Sequence, residues 1–179
     1  MTCVSAHLGK LLALVLRHRP EVAGVTLDPA GWVDVDELVA GLSRGGHRVT
    51  ADDVRRAVDG DSKGRYELVA GRIRAAQGHS VDVELGLAPV EPPPVLYHGT
   101  VERFVTAILA QGLRPGSRQS VHLSADVATA QVVGRRRGEP VVLVVDAAGA
   151  HAAGHAFRQA SNGVWLTGAV PPGYLHVLG

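Results

Sequence analysis

The chain is short of the residues that build disulfides, metal centres and membrane spans. Its only cysteine is Cys3, so no disulfide within the chain and no cysteine-based metal site is possible. That economy fits a reducing compartment, and the cytoplasm is the expected location. The longest apolar runs, Leu11–Leu16 and Val141–Val145, fall far short of the roughly 20 residues that span a bilayer. The N-terminus lacks a basic stretch followed by a long apolar one, so no signal peptide is expected. Net charge is only +1, and no global field draws in nucleic acid; any such binding rests on local patches. Lysine is nearly missing, with Lys10 and Lys63 alone. Positive charge is therefore carried by arginine, whose planar fork is the better phosphate ligand, although a GC-rich genome produces the same bias. Apolar residues at 46% and charged residues at 20% are ordinary for a globular protein.

What is present is a set of basic residues at separated points with almost no acid beside them. Arg17 and His18 end an apolar helical stretch, Arg65 sits in Lys63-Gly64-Arg65, and Arg118 sits in Gly116-Ser117-Arg118-Gln119. Between them runs Arg72-Ile73-Arg74-Ala75-Ala76-Gln77-Gly78-His79-Ser80. Guanidinium and imidazole without carboxylates suit phosphate. They suit neither a divalent metal nor a general base, and no metal is expected. Taken singly, each has a plainer reading. Arg17 and His18 offset a helix dipole, worth under ~1 kcal/mol; Arg65 is a solvated strand residue; Arg118 is a loop arginine.

The element pattern is α+β. Leu8, Leu11, Leu12 and Val15 stripe a helix over 8–18 that Pro20 stops. Val25–Leu27 and Trp32-Val33 read as short strands. Asp34 with Glu37, and Thr50 with Asp53, predict two capped helices, to about Leu42 and Val58. Arg65–Val69 and Arg72–Ala75 alternate around Ala70-Gly71 as a hairpin. Three helices and a hairpin are the parts of a winged helix, which often presents a basic face to nucleic acid. Pro89–Pro94 reads as a stiff connector, dividing the chain into lobes 1–90 and 91–179. Beyond it the pattern predicts a strand at Val95–His98, a helix over Val101–Gln111 and a strand at Val121–Leu123. A helix capped by Ser124 and ending at Gly134 follows, with strands at Val141–Val145, Phe157–Gln159, Val164–Leu166 and Leu175–Leu178. The second lobe thus reads as a mixed sheet with two helices.

These strings together resemble the RNA 2′-phosphotransferase family, whose members remove a splice-junction 2′-phosphate from transfer RNA using NAD. The resemblance runs through Leu16-Arg17-His18-Arg19-Pro20, Leu27-Asp28 with Gly31-Trp32-Val33, and Gln77-Gly78-His79-Ser80. It continues through Leu96-Tyr97-His98-Gly99-Thr100, Gly116-Ser117-Arg118-Gln119, Val121-His122-Leu123-Ser124 and Asn162-Gly163-Val164-Trp165-Leu166-Thr167. It implies an N-terminal winged-helix RNA lobe and a C-terminal ADP-ribosyltransferase-like NAD lobe. It also implies a catalytic tetrad of Arg17, His18, Arg65 and Arg118 on the 2′-phosphate. His98, Gly99, Thr100, His122 and Ser124 would bind NAD, with Gly99 letting backbone approach the ligand. Arg74, Gln77, Gly78, His79 and Ser80 would bind the RNA substrate. The plainer readings are a core position for His122 and a solvated loop for Arg135-Arg136-Arg137.

The implied reaction has two steps. The 2′-phosphate attacks the ribose carbon bearing nicotinamide, giving 2′-phospho-ADP-ribosylated RNA. The neighbouring ribose hydroxyl then attacks phosphorus, giving 2′-hydroxyl RNA and ADP-ribose 1″,2″-cyclic phosphate. His18 is assigned to the phosphate, with protonation of the departing RNA 2′-oxygen as a second role. Where ADP-ribosyltransferases usually carry an acid in their third motif, this chain has Val164. A phosphate acceptor is already an anion and needs little deprotonation, so the missing acid argues against ordinary protein ADP-ribosylation. Two alternatives stay open: an ADP-ribosyltransferase acting on nucleic-acid terminal phosphates, and a non-catalytic winged-helix nucleic-acid-binding module. A monomer acting on a tRNA-like RNA, away from membranes, is expected.

Overall fold

The computed structural model describes residues 2–179, with side chains described from His7 onward, so the Cys3 side chain lies outside it. The chain forms two compact units, the first ending at Gly86 and the second running from Leu87 to Gly179. Mixed helix and small sheets in both make it an α+β protein.

In the first unit, α1 (Thr2–Arg17) is longer than its apolar stripe predicts. It ends where Arg19 leaves helical geometry (φ −144°, ψ 66°) ahead of Pro20, which opens a short 3-10 turn. Its inner face puts Leu8, Leu12, Val15 and Leu16 into a core with Leu38, Leu42, Val54 and Ile73. Burying each such side chain contributes about 2 kcal/mol. Helix α2 (Val35–Arg44) starts on Asp34, whose carboxylate accepts from the Asp36 and Glu37 amides. Helix α3 (Ala51–Asp59) carries a reciprocal Thr50–Asp53 capping box and stops at Gly60. The hairpin of β2 (Tyr66–Val69) and β3 (Arg72–Ala75) pairs Val69 with Arg72. Ala70 and Gly71 between them both have positive φ (49° and 79°), the tight two-residue turn that matches strand twist. A third strand, β1 (Val33–Asp34), joins the other side of β3.

The strand expected at Val25–Leu27 does not form. Asp28 instead draws that segment into a turn, its Oδ1 accepting from the Ala30 and Trp32 amides (2.9 and 2.8 Å) while its own amide donates to the Trp32 carbonyl (2.9 Å).

The second unit has two three-stranded sheets. One orders β4 (Val95–Val101), β6 (Pro140–Asp146) and β9 (Leu175–Val177); the other orders β5 (Val121–Leu123), β8 (Trp165–Thr167) and β7 (Phe157–Gln159). Every pairing in them is antiparallel, which corrects the mixed sheet expected from strands alternating with helices. Strand-helix alternation suggests parallel crossovers, but partner choice is made by long-range packing that local pattern does not carry. Tyr97 and Ser124 exchange backbone hydrogen bonds (2.9 and 2.8 Å) and tie the sheets together. Helices α4 (Glu102–Gln111), α5 (Val127–Gly134) and α6 (Ala147–Ala152) complete the unit, one more than the sequence pattern predicts. The unpredicted α6 hides in a run of small apolar residues that reads as continuing β6; its signal is Asp146, which caps it through the Gly149 amide. Helix α5 is capped by Asp126, not Ser124 as expected, because the Ser124 backbone is committed to Tyr97. Pro89–Pro94 is no free connector: Pro89 bridges to Arg158, and the Val90 amide donates to the Phe157 carbonyl (2.9 Å).

Candidate functional site

Three basic residues of the first unit form one bonded cluster at the end of α1. The Arg17 guanidinium donates to the Arg65 carbonyl (3.3 Å), which also accepts the Ala76 amide (2.9 Å). The Arg17 carbonyl accepts the Ser80 and Val81 amides (2.8 and 3.3 Å). Ser80 Oγ lies 2.9 Å from His18 Nδ1. Arg17, His18, Arg65 and Ser80 are thus brought together by the helix end, the start of the hairpin and the segment that leaves it. Gly78 has a φ of 93°, conformationally suited to glycine, and any Cβ there would lie 3.5 Å from the Arg17 guanidinium.

The cluster is not free of acid, which corrects the carboxylate-free site expected from sequence. Asp61 pairs with the Arg65 guanidinium at 3.0 Å and accepts the Arg65 amide at 2.6 Å. The tight turn over Asp61–Gly64 brings them face to face although they stand four residues apart. Arg65 Nε is nonetheless buried without a hydrogen-bond partner among the described residues. Arg74 is spent on structure. It pairs with Glu67 at 2.7 Å, donates to the Ala30 and Leu85 carbonyls (both 3.3 Å) and lies 4.6 Å from the Trp32 ring centroid. Gln77, three residues further on, is half-buried. His79 is only 2% exposed, with no hydrogen-bond partner for Nε2 among the described residues. Burial, then the charges of Arg17, Arg74 and His18, push its pKa down to about 4, so it is a neutral imidazole near pH 7.

The second unit holds a cavity of about 480 Å³. His98, Gly99, Thr100 and His122 lie in its wall, and so do four arginines, Arg114, Arg118, Arg136 and Arg137. No Asp or Glu lies among the described lining residues. Strand β4 delivers His98 and Thr100, and β5 delivers His122. His98 Nδ1 lies 3.1 Å from the His122 carbonyl, which can only accept, so the neutral ring carries its proton there. Burial lowers the His98 pKa, as do the Arg137 and Arg118 charges, against the opposing bond to His122. Partial desolvation, then Arg137 and Arg136, lower the Arg118 pKa as well. Gly116, with a φ of 67°, shapes the loop that carries Arg118.

Besides lining the cavity, Gly99 serves helix packing: a Cβ there would collide with the Ala130 carbonyl and stand 2.9 Å from the Gly134 nitrogen, so glycine is what lets α5 lie against β4. Ser124 does not line the cavity. Sequence reasoning in turn missed Arg114, Arg136, Arg137 and Asp61. The Arg135–Arg137 run reads as a solvated helix end, but a 3-10 turn after α5 places two of its arginines in the cavity wall. The signal was the three like charges in a row, against which the segment sets only Glu139.

Known proteins resemble this chain along almost its whole length. The model of a family described as RNA 2'-phosphotransferase, Tpt1 / KptA family, matches residues 4–169. A "Probable RNA 2'-phosphotransferase" of Hahella chejuensis is 53% identical over 171 residues, covering 94% of this chain and 92% of that protein. Proteins with the same description from Agrobacterium fabrum and Streptomyces coelicolor are 53% and 51% identical over 176 and 166 residues. These cover 97% and 93% of this chain and 95% and 91% of those proteins.

Proposed function

Because the chain belongs to the RNA 2'-phosphotransferase, Tpt1 / KptA family, we propose that it is an NAD-dependent enzyme that removes an internal 2′-phosphate from RNA. The observation that carries this reading is the wall of the second unit's cavity, with four arginines, a neutral His98 and no carboxylate among its described residues. Such a wall stabilises phosphate and developing negative charge. It offers no carboxylate to deprotonate a protein nucleophile, and a phosphate acceptor needs none. The donor set fits NAD: guanidinium for the pyrophosphate, imidazole and the Thr100 hydroxyl for ribose hydroxyls. The cavity falls in the size range of small-ligand sites, about 300–1,000 Å³. When bound, NAD supplies an electrophilic ribose carbon and the nicotinamide leaving group.

In this reading the first unit is a winged-helix RNA lobe and the second an ADP-ribosyltransferase-like NAD lobe. Arg17, His18 and Arg65 hold the 2′-phosphate, with the Arg17 bond to the Arg65 carbonyl and the Ser80 contact of His18 pre-setting the donors. His98, Thr100, Arg136 and Arg137 hold NAD, and Arg118 acts on the phosphate undergoing transfer. Arg74 and His79 brace the RNA lobe from beneath, and Gly99 acts through the seating of α5.

The test is incubation with NAD and an RNA carrying one internal 2′-phosphate, followed by mass analysis. The expected products are nicotinamide, 2′-hydroxyl RNA and ADP-ribose 1″,2″-cyclic phosphate, formed without added divalent metal. ADP-ribosylated terminal phosphates as the only product would instead mean a nucleic-acid ADP-ribosyltransferase. No NAD consumption, and no thermal stabilisation by NAD, would mean a binding module.

A further inference from the structure

Asp61 is a carboxylate bonded into the basic cluster of the first unit, and it is bonded to Arg65 twice. Its side chain is 6% exposed, while that of Arg65 is 37% exposed. One oxygen, Oδ2, accepts the Arg65 amide at 2.6 Å; the other, Oδ1, takes the guanidinium at 3.0 Å. The carboxylate therefore holds Arg65 at both ends, backbone and fork. The Arg65 carbonyl in turn accepts from Arg17. A chain of contacts runs from Asp61 through Arg65 to Arg17.

A carboxylate is a poor neighbour for a phosphate ligand on charge alone, because it repels the anion. It is a good neighbour on geometry. A long arginine free at its tip loses rotamer freedom each time it binds, and fixing the fork in advance removes that loss. The Asp61 pair engages one terminal guanidinium nitrogen, Nη2, while the Arg65 side chain as a whole stays 37% exposed. The turn over Asp61–Gly64 does not require the second contact, since its backbone bonds and the amide contact suffice to close it.

We infer that Asp61 is a positioning residue for phosphate recognition, acting by orienting the Arg65 guanidinium. This rests on the reading of Arg65 as a phosphate ligand. The probe is a pair of RNAs of one sequence, with and without an internal 2′-phosphate, and the readout is the ratio of their affinities. Asp61→Asn keeps an oxygen for the Arg65 amide but puts an NH2 or a neutral oxygen against the guanidinium. It should keep the unfolding midpoint and the affinity for unphosphorylated RNA, and lower the affinity ratio about tenfold, the scale of coupling between contacting residues. In an Arg65→Ala background the same change should cause no further loss.

Three outcomes overturn the inference. Asp61→Asn retaining the full ratio would show that orientation contributes nothing. An equal loss with and without Arg65 would show that Asp61 acts through the fold and not through Arg65. If Arg65→Ala alone leaves the ratio intact, the phosphate reading of Arg65 itself fails, and the inference with it; that result is told apart because it appears in the single variant.

Discussion

The two units present arginine in opposite ways. In the first, the guanidiniums are tethered: Arg65 to Asp61, Arg74 to Glu67, Arg17 to the Arg65 carbonyl. In the second, four line one cavity with no acid among the described lining residues. Tethered forks present few donors in fixed directions and suit one small, rigid anion such as a phosphate monoester. An unbalanced cluster makes a field more than a template, and suits a larger ligand whose charge is spread, such as a dinucleotide. The contrast shows that a count of arginines says little about a site until their partners are known. Each unit also keeps a histidine neutral: His79 in the first, His98 in the second, both held down mainly by burial.

The largest expected effect lies in the second unit. Arg118→Ala should slow turnover by about 100-fold, the usual loss when a preorganised donor facing developing charge is removed. Charge on phosphorus grows as the ribose hydroxyl attacks, so the second step should suffer most and 2′-phospho-ADP-ribosylated RNA should accumulate. Lysine at the position should rescue only partly, because a point charge lacks the fork. Quenched time points resolved on a gel measure both. Nicotinamide release slowed as much as the final product would move Arg118 to the first step.

A comparable free energy is expected from acid in the first unit. Unfolded His79 takes up a proton near pH 6.5, but folded His79 only near about 4. The unfolded state therefore binds more protons between those values. Stability falls as pH drops from 6.5 towards 4, by roughly 3 kcal/mol in all, and this contribution is flat above and below that window. Urea unfolding across pH should show a shallower slope in His79→Gln. An unchanged slope would mean that His79 is not the group responsible.

Smaller losses should separate the units. Arg65→Ala should weaken binding of 2′-phosphorylated RNA about 30-fold, the scale of about 2 kcal/mol for hydrogen bonds to a charged group, and leave NAD affinity intact. Arg136→Ala and Arg137→Ala should do the reverse, each costing about fivefold in NAD affinity while the RNA term holds. Because both are exposed, their effect should shrink as salt rises. Titration calorimetry with each ligand decides between the two. Loss of NAD affinity in Arg65→Ala, or of RNA affinity in the Arg136 variant, would erase the contrast.

Much of the fold was legible because local rules wrote it. The Thr50–Asp53 box, the Ala70-Gly71 turn, the stop at Pro20 and the apolar stripe of α1 each depend on residues a few positions apart, and each stands as read. The segment Val25–Leu27 did not, because β-prone residues make a strand only with a partner, and Asp28 turned the chain away. The order of strands and their antiparallel pairing were likewise beyond local pattern.

The sequence by itself determined the family. Arginine in place of lysine, a lone cysteine, and the strings around Arg17-His18, His98-Gly99-Thr100 and Arg118 are composition and order, and the family follows from them. Only the tertiary structure decided what each residue does with its bonds. It gave Arg65 a carboxylate, committed Arg74 to Glu67 and Trp32, turned Arg136 and Arg137 into a cavity wall, and made Gly99 a packing glycine. The physical reason is reach. A guanidinium has five donors on a long arm, and which acceptors it meets depends on turns, helix ends and strands brought together by folding, over distances that sequence neighbours do not report.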